Sequence, residues 1–246
     1  MIFFEPLFRL TGFAVLFLCA LNFGALSAED EEAPWPDGHR LNEIPMFGEG
    51  RLPERLQKAN RKLVREAYKT GISLTKSSNH AMERGWKAFN SSDTATAIRQ
   101  FNQAWLLDRR NGAVYWGFGV VLYKRDGDLK GALKMFGRAR RMQPDNPYLL
   151  VDYGRVFEEN GEPDAAVTLF LDAVSLDPDT KYAYVGLVRA YVKANDLGNA
   201  LLFAYEGKDR GDPISDEFIA ALEKIPSTDN GLPADVKLTA LPEWRP

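Results

Sequence analysis

Between Pro147 and Thr180 apolar residues recur with a helical period, and the pattern breaks once in the middle and once at the end. It predicts two short amphipathic helices, Leu149 to Glu159 and Pro163 to Leu176, joined at Asn160-Gly161. Gly154, Ala166 and Ala173 stand where packed helices must approach closely, and Leu150, Tyr153, Phe157 and Phe170 fill the space between. Pro178 ends the second helix. Such a pair cannot bury its apolar faces alone, so the stretch reads as one unit of a stacked array.

The same marks recur on both sides at a period of about 34 residues. A unit over 78–111 carries Gly85, Ala97, Phe101 and Ala104. The next, over 112–146, carries Tyr115, Phe118, Gly119, Leu122, Ala132, Phe136, Ala139 and Pro144, with one extra residue in its inter-helix turn. The third spans 147–180. The last, over 181–213, keeps Tyr184, Leu187, Tyr191 and Ala200 but departs from the pattern at Val188, Ala204 and Gly207. Terminal units depart because one face must meet solvent or a cap. Ser215, followed by acids and then Lys224, predicts a capping helix over 215–225, and the proline-bearing 226–246 reads as an extended tail with Trp244.

Ahead of the array a helix is predicted over 53–76. Leu56, Leu63, Val64, Ala67 and Tyr68 form its apolar stripe, and Arg55, Lys58, Arg61, Lys62, Arg65 and Lys69 its other face. Residues 28–52, acidic and then rich in Pro and Gly, predict an extended arm, either pinned to the body by Trp35, Ile44, Met46 and Phe47 or disordered. Residues 1–27 have the form of a secretory signal: Arg9, an uncharged run from Leu10, and small residues at Ala25 and Ser27. A retained membrane anchor is the alternative, and lipidation at Cys19 is disfavoured by the bulky Leu18 before it.

The repeated pattern resembles the tetratricopeptide repeat over about residues 78–213. The resemblance implies an all-α fold: a right-handed α-solenoid of about four helix pairs, its concave face lined by the first helix of each pair. The family's groove positions correspond to Met82, Trp86, Phe89 and Asn90, then Trp116, Val120, Tyr123 and Lys124. They continue with Tyr148, Val151, Arg155, Glu158 and Glu159, and with Tyr182, Val185, Arg189, Val192 and Lys193. Aromatic and arginine side chains suit peptide recognition, because rings bury much area and guanidinium pairs with carboxylate at two points. The expected binding residues are therefore Trp86, Phe89, Trp116, Tyr123, Tyr148, Arg155, Tyr182, Arg189 and Lys193. The Lys/Asn clamp with which some family members hold a C-terminal carboxylate is absent, Met82 and Trp86 standing in its place. FNQAWLLD (101–108) followed by YWGFG (115–119) resembles short bacterial envelope proteins with these repeats, which implies export, most simply to the periplasm.

Composition narrows the chemistry. Net charge is −3 over 246 residues, so no global field points to nucleic acid. One cysteine and two histidines, His39 and His80, make no metal-ligand cluster, and no metal or cofactor is expected. No Gly-rich phosphate loop or nucleophile–base pair stands out, and Glu158-Glu159, adjacent on a helix, point in different directions and better balance the groove arginines. Gly117 and Gly119 inside a helix predict close packing, around Trp105 and Trp116. The expectation is a non-enzymatic exported scaffold that binds a protein or peptide. The alternative is a membrane-associated structural subunit using Lys58, Arg61, Lys62, Arg65 and Lys69, and an enzyme of envelope polymers ranks last.

Overall fold

The computed structural model describes residues 40–49 and 52–225. The expected signal segment, Cys19, Trp35 and the 226–246 tail lie outside the described residues. All regular elements of the described residues are helical. They are α1 (Glu54–Lys69), α2 (Leu74–Asn90), α3 (Thr94–Leu107), α4 (Gly112–Lys124), α5 (Leu129–Met142), α6 (Pro147–Glu159), α7 (Pro163–Leu176), α8 (Ala183–Lys193), α9 (Leu197–Asp209) and α10 (Asp216–Glu223). Helices adjacent in sequence pack on one another: α2 with α3, α6 with α7, α7 with α8, and α8 with α9.

One local device makes each helix pair. The first helix ends on a residue in left-handed conformation: Ser92 (φ 63°), Gly127 (65°), Gly161 (82°) and Asn195 (60°). The chain then returns an N–H to the last turn: Asp93 to the Ala88 carbonyl at 2.9 Å, Asp128 to Leu122 at 3.0 Å, Glu162 to Phe157 at 2.9 Å and Asp196 to Tyr191 at 2.8 Å. These closures, six residues long in three cases and seven at Asp128, satisfy carbonyls that a helix end leaves orphaned. Three of those returning residues also start the next helix, the Asp93, Asp128 and Asp196 side chains accepting the N–H of Thr96, Gly131 and Asn199.

The described chain divides into two compact units, the first ending at Gly117 and the second beginning at Phe118. In the first, the Phe101 ring is held between Gly85 of α2 and Gly117 of α4, where added methyl groups would stand 2.3 and 2.9 Å from it. In the second, Phe170 sits in the same way between Gly154 of α6 and Gly186 of α8, at 2.9 and 2.4 Å. In α3 and α7 a phenylalanine thus bolts its own first helix to the first helix of the next repeat. The glycines expected to pack around Trp105 and Trp116 instead meet phenylalanines: Gly117 meets Phe101, and Gly119 meets Phe136.

Three boundaries differ from expectation. The basic helix expected over 53–76 stops at Lys69, because Gly71 takes a φ of +73° and the Ser73 side chain caps α2, accepting the Lys76 N–H at 3.2 Å. The first repeat therefore begins at Leu74, ahead of Ser78. The arm is also not extended over 40–49. A 3-10 turn over Leu41–Glu43 is followed by a turn at Pro45–Glu49, in which Met46 (φ 51°) and Phe47 (57°) are left-handed. Left-handed backbone costs a bulky residue about 1–2 kcal/mol, and α3 supplies the compensation. Buried Asn102 accepts the Met46 N–H at 2.8 Å and donates to the carbonyls of Asn42 and Ile44 at 3.0 and 2.9 Å. Arg99 pairs with Glu43 at 2.8 Å, and Phe47 is 1% exposed.

Candidate binding surfaces

In the first unit the tryptophans expected in the groove meet each other. Trp86 of α2 and Trp116 of α4 lie 5.1 Å apart between ring centroids. Trp86 also contacts Phe101 at 5.3 Å and Phe89 at 5.9 Å, in edge-to-face geometry. Both tryptophans are only partly buried, so they offer an aromatic surface backed by a rigid ring cluster. Phe89 is core, 8% exposed, and is not available to a partner.

In the second unit the expected cations are held within the chain. Glu158 of α6 is 1% exposed, and its carboxylate accepts the Arg189 Nε–H at 3.1 and 3.2 Å and pairs with Lys193 Nζ at 3.0 Å. Lys193 Nζ also donates to the Glu158 carbonyl at 3.1 Å. Arg155 pairs with Glu159 at 3.6 Å, and its Nε donates at 3.3 Å to the Tyr123 hydroxyl, which in turn donates to Glu159. Burial, reinforced by Glu159, holds the Tyr123 phenol well above its ordinary pKa, so it stays a neutral donor. Arg155, Arg189 and Lys193 are therefore parts of a cross-helix brace rather than unengaged anion receptors. Glu158 and Glu159 play the balancing role expected of them.

The remaining expected residues divide. Tyr148 of α6 is half exposed and open to a partner. Tyr182 lies just before α8 with a φ of +65°. Its N–H, with those of Tyr184 and Val185, is accepted by the buried Asp212 carboxylate at 2.8, 3.0 and 3.3 Å. Burial pushes the Asp212 pKa up, against the pull of these three N–H donors and Lys181. Asp212 carried no signal in the sequence, because its partners are 27 to 30 residues away.

On α1, Lys58, Arg61, Lys62, Arg65 and Lys69 are all exposed. Lys58 pairs with Glu54 at 3.1 Å and Lys69 with Glu66 at 2.9 Å, each pair one turn apart and worth only about 0.3–0.5 kcal/mol in such a position. Among the described residues no group of His, Cys, Asp and Glu could hold a metal ion, and no helix is long and apolar enough to cross a membrane.

Capped helix pairs, bolted repeat to repeat by phenylalanine on glycine, define a helical-repeat scaffold. Residues 123–184 match the family model described as Tetratricopeptide repeat, and over that stretch the chain carries tetratricopeptide repeats. Among solved structures, a mutant of the Thermobaculum terrenum O-GlcNAc transferase superposes with a TM-score of 0.52 at 18% identity, over 56% of this chain and 27% of that one. That likeness concerns the fold alone. A crystal structure of MamA matches 64% of this chain and 91% of its own at 17% identity, with a TM-score of 0.48. The Protein CTR9 homolog of Arabidopsis thaliana is 33% identical over 87 residues. The match takes in 35% of this chain and 8% of that protein.

Proposed function

We propose that this chain is a non-enzymatic scaffold that binds a protein or peptide segment through the first helices of its repeats. The observation that carries this reading is the Trp86–Trp116 pair. Two first helices of successive repeats present partly buried indoles on a fixed backing, and a large aromatic surface is a frequent anchor for a partner. Exposed Tyr148 offers a similar anchor in the second unit. The cations expected to add charge recognition brace the helices instead, so recognition rests on the rings.

We place this function in the bacterial envelope, on the signal-like 1–27 and the envelope-type FNQAWLLD…YWGFG stretch. The test is recovery of a partner from envelope extract by the exported chain and by Trp86→Ala/Trp116→Ala, followed by reconstitution with the purified partner. Loss in the variant with an unchanged circular-dichroism spectrum supports the reading. Equal binding by both overturns it. Fractionation and N-terminal sequencing of the native protein test export: a cytoplasmic protein beginning at Met1 would remove the envelope assignment.

A second reading, a structural subunit at a membrane or in a larger complex, is favoured by the exposed Lys58, Arg61, Lys62, Arg65 and Lys69 of α1. Reversal by Lys58→Glu/Arg65→Glu would abolish that association while leaving the tryptophan surface intact.

A further inference from the structure

We propose that the groove between α1 and the end of α3 is a separate binding site, which takes an acidic peptide segment carrying an apolar side chain. The groove has a volume of ≈ 790 Å³, a size that holds a side chain with several backbone units. Val64, Trp105 and Leu106 form its walls, and Arg61, Arg65 and Arg109 also line it. Among the described residues no carboxylate lines it. The Arg109 guanidinium lies 4.4 Å over the Trp105 ring, a position that fixes a cation at the groove edge. The indole N–H already donates to the Tyr115 hydroxyl at 3.3 Å, so what Trp105 offers a ligand is the apolar ring surface that Arg109 leaves uncovered.

Asn60 sets the class of ligand. It lines the same groove, is 7% exposed, and its side-chain oxygen is buried with no hydrogen-bond partner. A buried acceptor without a donor is unfavourable to the free fold, and its terminal torsion is soft enough to turn toward a ligand. The arginines call for acceptors and Asn60 for a donor, with apolar walls between. An acidic peptide supplies all three: side-chain carboxylates, a backbone N–H, and an aliphatic or aromatic anchor. An anionic lipid would give the arginines a phosphate, but the acyl chain that the walls would take carries no donor. The site shares no residue with the Trp86–Trp116 surface.

The test screens the full chain against synthetic peptides of about ten residues, rich in Asp and Glu, each carrying one Leu or Trp. Vesicles of phosphatidylglycerol in phosphatidylcholine are assayed in parallel. Selected peptides should lose about tenfold in affinity to Asn60→Leu, the scale of one buried hydrogen bond, while the melting temperature of that variant holds or rises. They should lose more to Arg61→Ala/Arg65→Ala and nothing to Trp86→Ala/Trp116→Ala, so failure here is distinguishable from failure of the scaffold reading. The proposal is overturned if no peptide prefers the native chain over Arg61→Ala/Arg65→Ala. Equal binding by Asn60→Leu overturns it too, as does vesicle binding without peptide binding, which would assign the face to a lipid surface.

Discussion

Removing the Glu158 carboxylate should destabilise the second unit more than removing either cation it holds. The residue is 1% exposed, while the Arg189 and Lys193 side chains retain 15% and 34% of their exposure. Truncating one member of a buried ion pair costs about 3–5 kcal/mol, because the partner charge stays desolvated. Here two cations share the carboxylate, and water reaches Lys193, which lowers the figure. Glu158→Gln keeps the volume and a hydrogen bond to Arg189, so about 2 kcal/mol is expected. Glu158→Ala adds lost packing and should reach about 3 kcal/mol. For a chain of this size each kcal/mol moves the melting temperature by about 2–4 °C, so Glu158→Ala should melt roughly 6–12 °C lower. Urea denaturation monitored at the second unit gives the free energies, and the Glu158→Ala/Arg189→Ala cycle isolates the pair. A coupling below about 0.5 kcal/mol, or a Glu158→Ala variant as stable as the native chain, would refute the brace and return Arg189 and Lys193 to the list of ligand contacts.

Three further outcomes follow from named contacts. Asn102→Ala removes the three hydrogen bonds that this side chain makes to the 40–49 turns, so the Met46 amide should exchange with solvent orders of magnitude faster while α2 and α3 stay protected; unchanged exchange would show that Phe47 burial and the Arg99–Glu43 pair suffice. Gly186→Ala should lower stability by about 1–2 kcal/mol in thermal melts despite alanine's better helix propensity, since the new methyl lands 2.4 Å from a Phe170 ring whose other face is closed by Gly154. Asp212→Asn leaves one side-chain oxygen for three N–H donors and should lose about 1–2 kcal/mol at neutral pH. Because burial raises the folded Asp212 pKa above its unfolded value, the folded chain holds that proton at higher pH. The group's contribution to stability is then greatest below the ordinary aspartate range and declines as pH rises through the raised value. The gap between native chain and variant should therefore widen on acidification; a gap that closes would reverse the assignment.

The helix pairs were legible in the sequence because their causes are local. A glycine or asparagine able to turn left-handed, an Asp to start the next helix, and a small residue opposite a phenylalanine all lie within one repeat. Ser92 shows the limit: it takes the same left-handed turn as Gly127 with none of glycine's freedom, because the closure of Asp93 onto Ala88 imposes it. Groove residues were legible as types but not as roles. Helical spacing placed Arg155, Arg189 and Lys193 on first helices, yet whether a cation faces a ligand or a neighbour depends on the helix packed beside it. Asn102 and Asp212 gave no warning, since a polar residue destined for burial looks like a surface residue until its distant partner is known, and Asn60 gave none because the groove that buries it is formed by α3. The turn at Met46-Phe47 runs against the backbone preference of both residues, and only Asn102, 56 residues further on, explains it.

The Asp212 cap bears on the order of events while the chain is being made. Most of the repeats' helix N-termini are closed by a side chain three residues upstream, so those helices carry their own starting signal as they emerge. The first turn of α8 does not, since its donors wait for a carboxylate 27 to 30 residues further on. At synthesis rates of about 5–20 residues per second, that interval is roughly 1.5–6 s. During it the Tyr182, Tyr184 and Val185 amides lack that carboxylate and the last repeat lacks its clasp. The last repeat therefore gains this cap only when the linker to α10 has been made.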